Sequence, residues 1–292
     1  MATITTATRE VATPSPPARR YGILDAAIQP GDLDDRVIAS GLTFAAEDCG
    51  VNVTLYNPTC ESGAQPVKPF SPGTPFVEAD PYWVISTYQC GTVGTTPADV
   101  TRRVRRRYDA GVQWAIESTI WTGNGMPDVP NLSGSGATVV TPLAPGAGAA
   151  IAALEAAFYD LHGYVGTIHI GTEGYAAVRD AGLMDRQGGA GAWRTPKGSL
   201  WSIGDGYGVT GPAGAAPAAG FVWAFMTPQV YLWSSAVNQP DPVQTLDRTF
   251  NQWMAVAETV WLHTWLCDTV VAVQVPLAAP AASVPPAVPV AP

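Results

Sequence analysis

One stretch constrains this chain more than any other: Thr96-Pro97-Ala98-Asp99, then a run with a near-helical apolar rhythm, then Gly123-Asn124-Gly125. Thr at an N-cap, Pro at the first helical position and an acid at the third mark a helix start. Val100, Val104, Tyr108, Val112, Ala115, Thr119 and Ile120 then recur at the spacing of one helix face. The glycines and prolines of WTGNGMPDVPNL end it, and Gly111 is a soft point near its middle. Such a helix is about 35 Å long at 1.5 Å rise per residue. Its stripe needs an equally long surface to cover it, so the fold must be laid out along this element.

The same helix carries Arg102, Arg103, Arg105, Arg106 and Arg107 off its apolar stripe. The net charge of the chain is −9; without those five, 10 basic residues face 24 acidic ones, a balance of −14. A surface of that sign repels polyanions, so general nucleic-acid affinity is not expected and any basic function is local; a nucleic-acid-binding module would show strong salt-dependent DNA retention by the isolated monomer. With forked, bidentate donors, the arginines are expected to pair with carboxylates of this chain or of neighbouring copies.

Around the helix the chain changes character several times. Residues 1–20 are poor in large apolar side chains and are interrupted by Pro14, Pro16 and Pro17, which reads as an extended arm. This segment has only a faint likeness to a transit peptide, and it lacks the apolar middle of a secretory signal. VNVTLYN and PYWVISTYQC are rich in β-branched and aromatic residues and flank a proline-rich stretch, which predicts a long hairpin-like loop over 49–90. AAIAALEAAFYDLHGY predicts a second helix, VGTIHI a strand and EGYAAVRDAGLM a short helix, together a compact α/β unit. GSLWSIGDGYGVTGP, GFVWAFMTPQVYLW and TVVAVQV are further strand candidates, and TFNQWMAVAETVWLHTW fits strand better than helix. Residues 276–292 form a Pro/Ala/Val tail, expected to be extended. No uninterrupted apolar run reaches the roughly 18–20 residues of a membrane span.

Catalytic chemistry is poorly represented. His162, His169 and His263 lie far apart and none stands beside a cysteine at metal-ligand spacing. An unrecognised α/β enzyme would need His162 and His169 to meet a carboxylate in a pocket. Gly206-Tyr207-Gly208-Val209-Thr210-Gly211 matches GxGxxG, but GPAGAAPAAG stands where a phosphate-binding helix should begin, so it reads as a turn. Two glycosylation sequons, at Asn52 and Asn131, have no context of secretion. Glu117 and Glu258 sit in apolar segments and each calls for a partner, with an arginine of the run available. Cys49, Cys60, Cys90 and Cys267 form no CxxC pair and read as reduced thiols; one surface or intersubunit disulfide through Cys49 or Cys60 is the alternative. No catalytic, cofactor-binding or metal-binding residue is assigned.

The order of parts resembles the major capsid proteins of tailed bacteriophages, those of actinobacterial phages in particular, which share the Hong Kong 97-like fold. PYWVISTYQC with its Thr-Pro helix start, AIESTIWTGNGMPDVPNL, and LDRTFNQWMAVAETVWLHTWLCDTVVAVQV carry the likeness over roughly residues 21–275. The resemblance implies an α+β fold. It would comprise an N-terminal arm (1–40), an extended E-loop region (41–95), a peripheral domain with the spine helix (96–139 and 236–275), an axial domain (140–235) and the tail (276–292).

It also implies a function: a coat protein whose copies form hexamers and pentamers of an icosahedral shell around double-stranded DNA, built in the host cytoplasm and resident in the virion. An encapsulin-type protein compartment is the alternative on the same fold. The implied partners are further copies of the chain, a separate scaffolding protein, portal and decoration proteins, and packaged DNA touched weakly and without sequence preference. No cofactor and no membrane are implied. Beside the five arginines, Phe70, Phe76 and Tyr82 are candidate subunit contacts, with Trp83 either a contact or core. Lys68 falls in the E-loop region, but no catalytic glutamate can be matched, so a covalent crosslink is not expected.

Overall fold

The computed structural model of the chain describes residues 21–31, 33–46, 49–50, 74, 76–126, 128–185, 192–241 and 246–277. The arm 1–20, VNVTLYN, Cys60, Lys68, Phe70 and the tail 278–292 lie outside the described residues.

In chain order the elements are α1 (Ile23–Ala26), α2 (Asp35–Ser40), β1 (Leu42–Ala45), β2 (Phe76–Ala79), β3 (Pro81–Gly91) and α3 (Pro97–Thr122). Next come β4 (Thr138–Val139), α4 (Ala147–His162), β5 (Thr167–Gly171), α5 (Tyr175–Asp180), β6 (Leu200–Gly204) and β7 (Phe221–Thr227). The last three are β8 (Val230–Ser234), β9 (Gln252–Trp265) and β10 (Val271–Pro276).

The long helix forms as its sequence dictates. Thr96 caps it, its hydroxyl accepting from the Asp99 amide while the Asp99 side chain accepts from the Thr96 amide. It ends at Gly123, whose φ of 72° lies in the left-handed region that a Cβ disfavours.

Two sheets are hung on this helix. The antiparallel sheet β3-β9-β8 lies under its first half, where Val100, Val104 and Tyr108 bury against Ala255 and Ala257. The mixed sheet β4-β10-β7-β5-β6 meets its second half. Alternation along β7 and β10 serves two cores. Ala224, Met226, Val271 and Val273 face α4, while Trp223, Phe225 and Ala272 face the end of α3. Caught between both sheets, the second half of α3 is buried on several faces at once, with Ile116, Glu117, Ile120 and Trp121 all inaccessible. The expected single stripe therefore describes only its first two turns or three.

The glycine-rich stretch after β6 is a strap pressed onto that buried half. A Cβ on Gly206 would stand 2.4 Å from the Trp114 carbonyl, so only glycine permits the approach. Its match to a phosphate-binding pattern comes from this packing.

Three expectations change. PYWVISTYQC is not the returning arm of the long loop; β3 pairs along its whole length with β9, from Pro81↔Leu262 to Gly91↔Gln252. The stem of the loop is instead the short ladder Leu42↔Ala79 to Ala45↔Phe76. Residues 236–275 do not stay together, because β9 lies with α3 whereas β10 inserts between β4 and β7. Conversely β8, assigned by sequence to the axial region, is an edge of the α3 sheet. For β10, apolar and buried on both sides, the sheet that covers both faces decides the partner, whereas β3 and β8 keep one face toward solvent.

The third change is chemical. Cys49 and Cys267 are disulfide-bonded within one subunit, Cα atoms 5.5 Å apart, so they are neither reduced nor intersubunit. The bond ties the start of the long loop to the end of β9 across 218 residues, and Cys90 is the free thiol among the described cysteines. Closing so long a loop restricts the unfolded chain, and native disulfides contribute about 2–5 kcal/mol. Urea unfolding with and without reductant should show a loss of that size, absent from a Cys267→Ser variant.

Candidate subunit interface

The arginine run makes two kinds of contact. Arg102 pairs with Asp99 at 2.7 Å and Arg105 with Asp109 at 2.9 Å, both on their own helix. Exposed i,i+3 and i,i+4 pairs of this kind contribute only tenths of a kcal/mol each. Arg103 and Arg107, one turn apart, close on Tyr88 of β3. Arg103 donates to its hydroxyl at 2.8 Å, while the Arg107 guanidinium lies 4.6 Å from the ring centroid and donates to the Thr87 carbonyl at 3.3 Å. Tyr88 thus holds two cations and fixes the helix to its sheet. Nothing in the sequence singled out this tyrosine.

The outer face of that sheet is unusual. Antiparallel sheets with one solvated face ordinarily place polar side chains there. Here the outward positions of β3 begin with Trp83 and Ile85, each 56% exposed, opposite Val260 and Glu258 of β9. Met254 continues the apolar surface, and Phe76 on β2 is 72% exposed. Glu258 is held by the Asn238 amide at 2.7 Å rather than by an arginine. Tyr82 faces the other way: it is 2% exposed, and its hydroxyl reaches His263 Nδ1 at 3.2 Å. The expected contact at Tyr82 is therefore a core residue, and Trp83 beside it holds the outward position.

The other polar side chains are knotted inward. Glu117 accepts from the amides of Ile23 (3.3 Å) and Gly206 (3.1 Å) and from the Gln113 side chain (2.8 Å). Arg107 precedes it by ten residues, about 15 Å of helix rise, so the run cannot reach it. Glu155 on α4 accepts from Thr195 and Ser199 hydroxyls at 2.5 and 2.6 Å.

The histidines do not converge. His162 stacks on Phe158 at 4.4 Å between centroids, and burial lowers its pKa. His169 sits in a chain whose polarity can be followed. Thr227 donates to the Pro228 carbonyl at 2.8 Å, so its oxygen accepts from His169 Nε2 at 2.9 Å. His169 Nδ1 then accepts from Tyr207 at 3.0 Å, and Tyr207 from Ser202 at 2.5 Å. His263 donates from Nε2 to the Pro130 carbonyl at 2.7 Å. Among the described residues no group of three His, Cys, Asp or Glu could hold a metal ion, and no helix is long and apolar enough to cross a membrane.

Burial holds His169 at a pKa of about 3 and His263 at about 4, so both rings are neutral at pH 7. In the unfolded chain a histidine takes up its proton near pH 6.5. Between those values the unfolded state binds more protons, so stability is full above pH 6.5 and falls as the pH drops. Each ring costs about 1.4 kcal/mol per pH unit in that window. Replacing His263→Gln should remove about half of the two-histidine slope between pH 6.5 and 4.5, read from urea midpoints.

No family profile matches the chain, and no curated protein does. Solved structures do. A chain of the Microbacterium phage Oxtober96 structure shares 10% identity with a TM-score of 0.51, covering 93% of this chain and 96% of its own. A chain of Mycobacterium phage Ogopogo shares 14% at 0.51, covering 92% and 96%. A chain from the capsid of a native GTA particle reaches 0.54 at 8% identity, covering 94% and 96%. The fold is the Hong Kong 97-like capsid fold. Its coverage runs through both sheets and the long helix, so the capsid fold accounts for the whole described body rather than for one part of it.

Proposed function

We propose that the chain is a major capsid protein of a tailed phage, a structural protein whose copies build the hexamers and pentamers of an icosahedral shell around double-stranded DNA. The observation that carries this is the end-to-end likeness to capsid chains, joined to an apolar sheet face that a lone subunit leaves in water. Association is what such a face is for: aromatic and aliphatic side chains are costly to expose in a contiguous patch, and closed symmetry multiplies modest contacts. Another similar structure, which contains phage G major capsid and decoration proteins, covers 94% of this chain with a TM-score of 0.51. It supports extending the reading to decoration partners; scaffolding and portal proteins are further proposed partners.

In this reading the α3 region and its sheet form the peripheral domain, the α4 region and its sheet form the axial domain, and the β1–β2 stem carries the E-loop. Trp83, Ile85 and Phe76 contact adjacent copies. The arginine run adds ion pairs with acidic residues of neighbours, and the acidic remainder of the surface keeps packaged DNA from adhering. The role is structural, and the proposed location is the virion.

Sedimentation velocity of the purified full chain tests the proposal. Capsomers or larger particles are expected at micromolar concentration. A monomer at every concentration, in the presence of the phage's other assembly proteins as well, contradicts it. Arg102→Glu with Arg105→Glu, at exposed positions whose own-helix pairs contribute only tenths of a kcal/mol, should lower the population of capsomers at least tenfold.

A further inference from the structure

The Cys49–Cys267 bond stands at a corner where three parts of the chain meet. Cys49 opens the long loop, Cys267 lies in the turn between β9 and β10, and the end of α4 packs beside them. A Cβ on Gly50 would lie 3.9 Å from the Leu161 carbonyl, and the Tyr164 hydroxyl lies 3.8 Å from Cys267 Sγ.

The two sulfurs of this bond are not equivalent. Cys267 is 3% exposed, whereas Cys49 is only partly buried. Thiol–disulfide exchange begins when a thiolate strikes one sulfur and expels the other, so access decides which sulfur is struck. A small thiol arriving from water meets Cys49 and is kept from Cys267. Expulsion then leaves the negative charge on Cys267, where the Tyr164 hydroxyl is placed to donate to it. Once released, the Cys49 thiol has an acceptor at hand in the Leu266 carbonyl, 3.0 Å from its sulfur. Each sulfur thus keeps a polar neighbour when the bond is open, and opening it strands neither.

We propose that Cys49 is a thiolation site: low-molecular-weight thiols exchange with the Cys49–Cys267 bond through Cys49 alone, and Cys267 is the buried leaving and resolving thiol. A thiolate RS⁻ attacks Cys49 Sγ. The RS–Sγ bond forms, the Sγ–Sγ bond breaks, and its electron pair leaves on Cys267 Sγ, which takes a proton from water. A second thiolate attacks the sulfur of the bound RS group; RSSR departs and Cys49 is freed and protonated. Two small thiols are oxidised and one protein disulfide is reduced, and RSSR drives the same steps backwards. The small-thiol pool therefore sets the state of the bond through a single sulfur. The site belongs to one subunit and is measured without assembly, so it stands apart from the shell reading.

The test uses the full chain in native buffer, with glutathione as the probe. After brief exposure of the parent protein to reduced glutathione and an acid quench, peptide mass spectrometry is expected to find the adduct on Cys49 and none on Cys267. With oxidised glutathione, Cys49 of a Cys267→Ser variant should react about a hundredfold faster than Cys267 of a Cys49→Ser variant. In urea, which removes the difference in burial, the two rates should come together. An adduct on Cys267, equal rates for the two cysteines in native buffer, or a bond that opens only in denaturant would overturn the proposal.

Discussion

Trp83→Glu combined with Ile85→Glu will leave the subunit folded and abolish its assembly. Both side chains are more than half exposed, so the isolated subunit should stay folded at a cost of about 1–3 kcal/mol, part of it from the carboxylate at position 85 facing Glu258 across the ladder. In an assembled shell each would bury an unpaired carboxylate against apolar surface, at several kcal/mol apiece. Repeated at every equivalent contact, that cost should reduce assembled material at least a hundredfold by sedimentation. The neighbouring substitution Tyr82→Glu should do the reverse, unfolding the subunit before assembly can be asked about. A shell formed normally by the doubly substituted protein would remove this face from the interface.

Glu117→Ala should be the most damaging single change to the subunit itself. The carboxyl gathers donors from three separated pieces of chain: Ile23 at the start of α1, Gln113 on the spine, and Gly206 on the strap. The two buried amides left without an acceptor cost about 1–3 kcal/mol each, so a total of about 2–6 kcal/mol is expected, the part-buried Gln113 side chain being free to turn to water. A domain is stable by only about 5–15 kcal/mol, and much of that margin would go. Glu117→Gln keeps the shape and one acceptor oxygen and should cost about half as much. Urea midpoints of the two variants decide it; a Glu117→Ala protein within about 1 kcal/mol of the parent would show that the knot is ornamental.

What the sequence made legible was local. The spine helix is announced by a reciprocal cap at Thr96 and Asp99 and ended by Gly123, and both signals act within one turn. Strand identity along 252–265 was likewise readable from Thr, Val and Trp content. Pairing was not. That β10 lies between β4 and β7, and not with β9, depends on which sheet can cover both faces of VAVQV, and no neighbouring residue carries that information. The same limit explains Tyr82 and Trp83. Alternation requires that they face opposite ways, but two large aromatics in succession leave open which of them turns inward. Glu117 called for a partner, and the partners came largely from backbone amides about 90 residues away, groups every sequence position owns. The Cys49–Cys267 bond spans 218 residues and has no spacing signature. The arginine run was read correctly as polar flank, yet its clasp on Tyr88 required knowing that β3 passes beneath that turn of α3.

Electron cryomicroscopy of the purified full-length protein tests the central claim most directly. Closed shells with fivefold and sixfold clusters, in which Trp83 and Ile85 are covered by an adjacent copy, are the predicted result. A single small oligomer at all concentrations, with the β3–β9 face open to solvent, would contradict it.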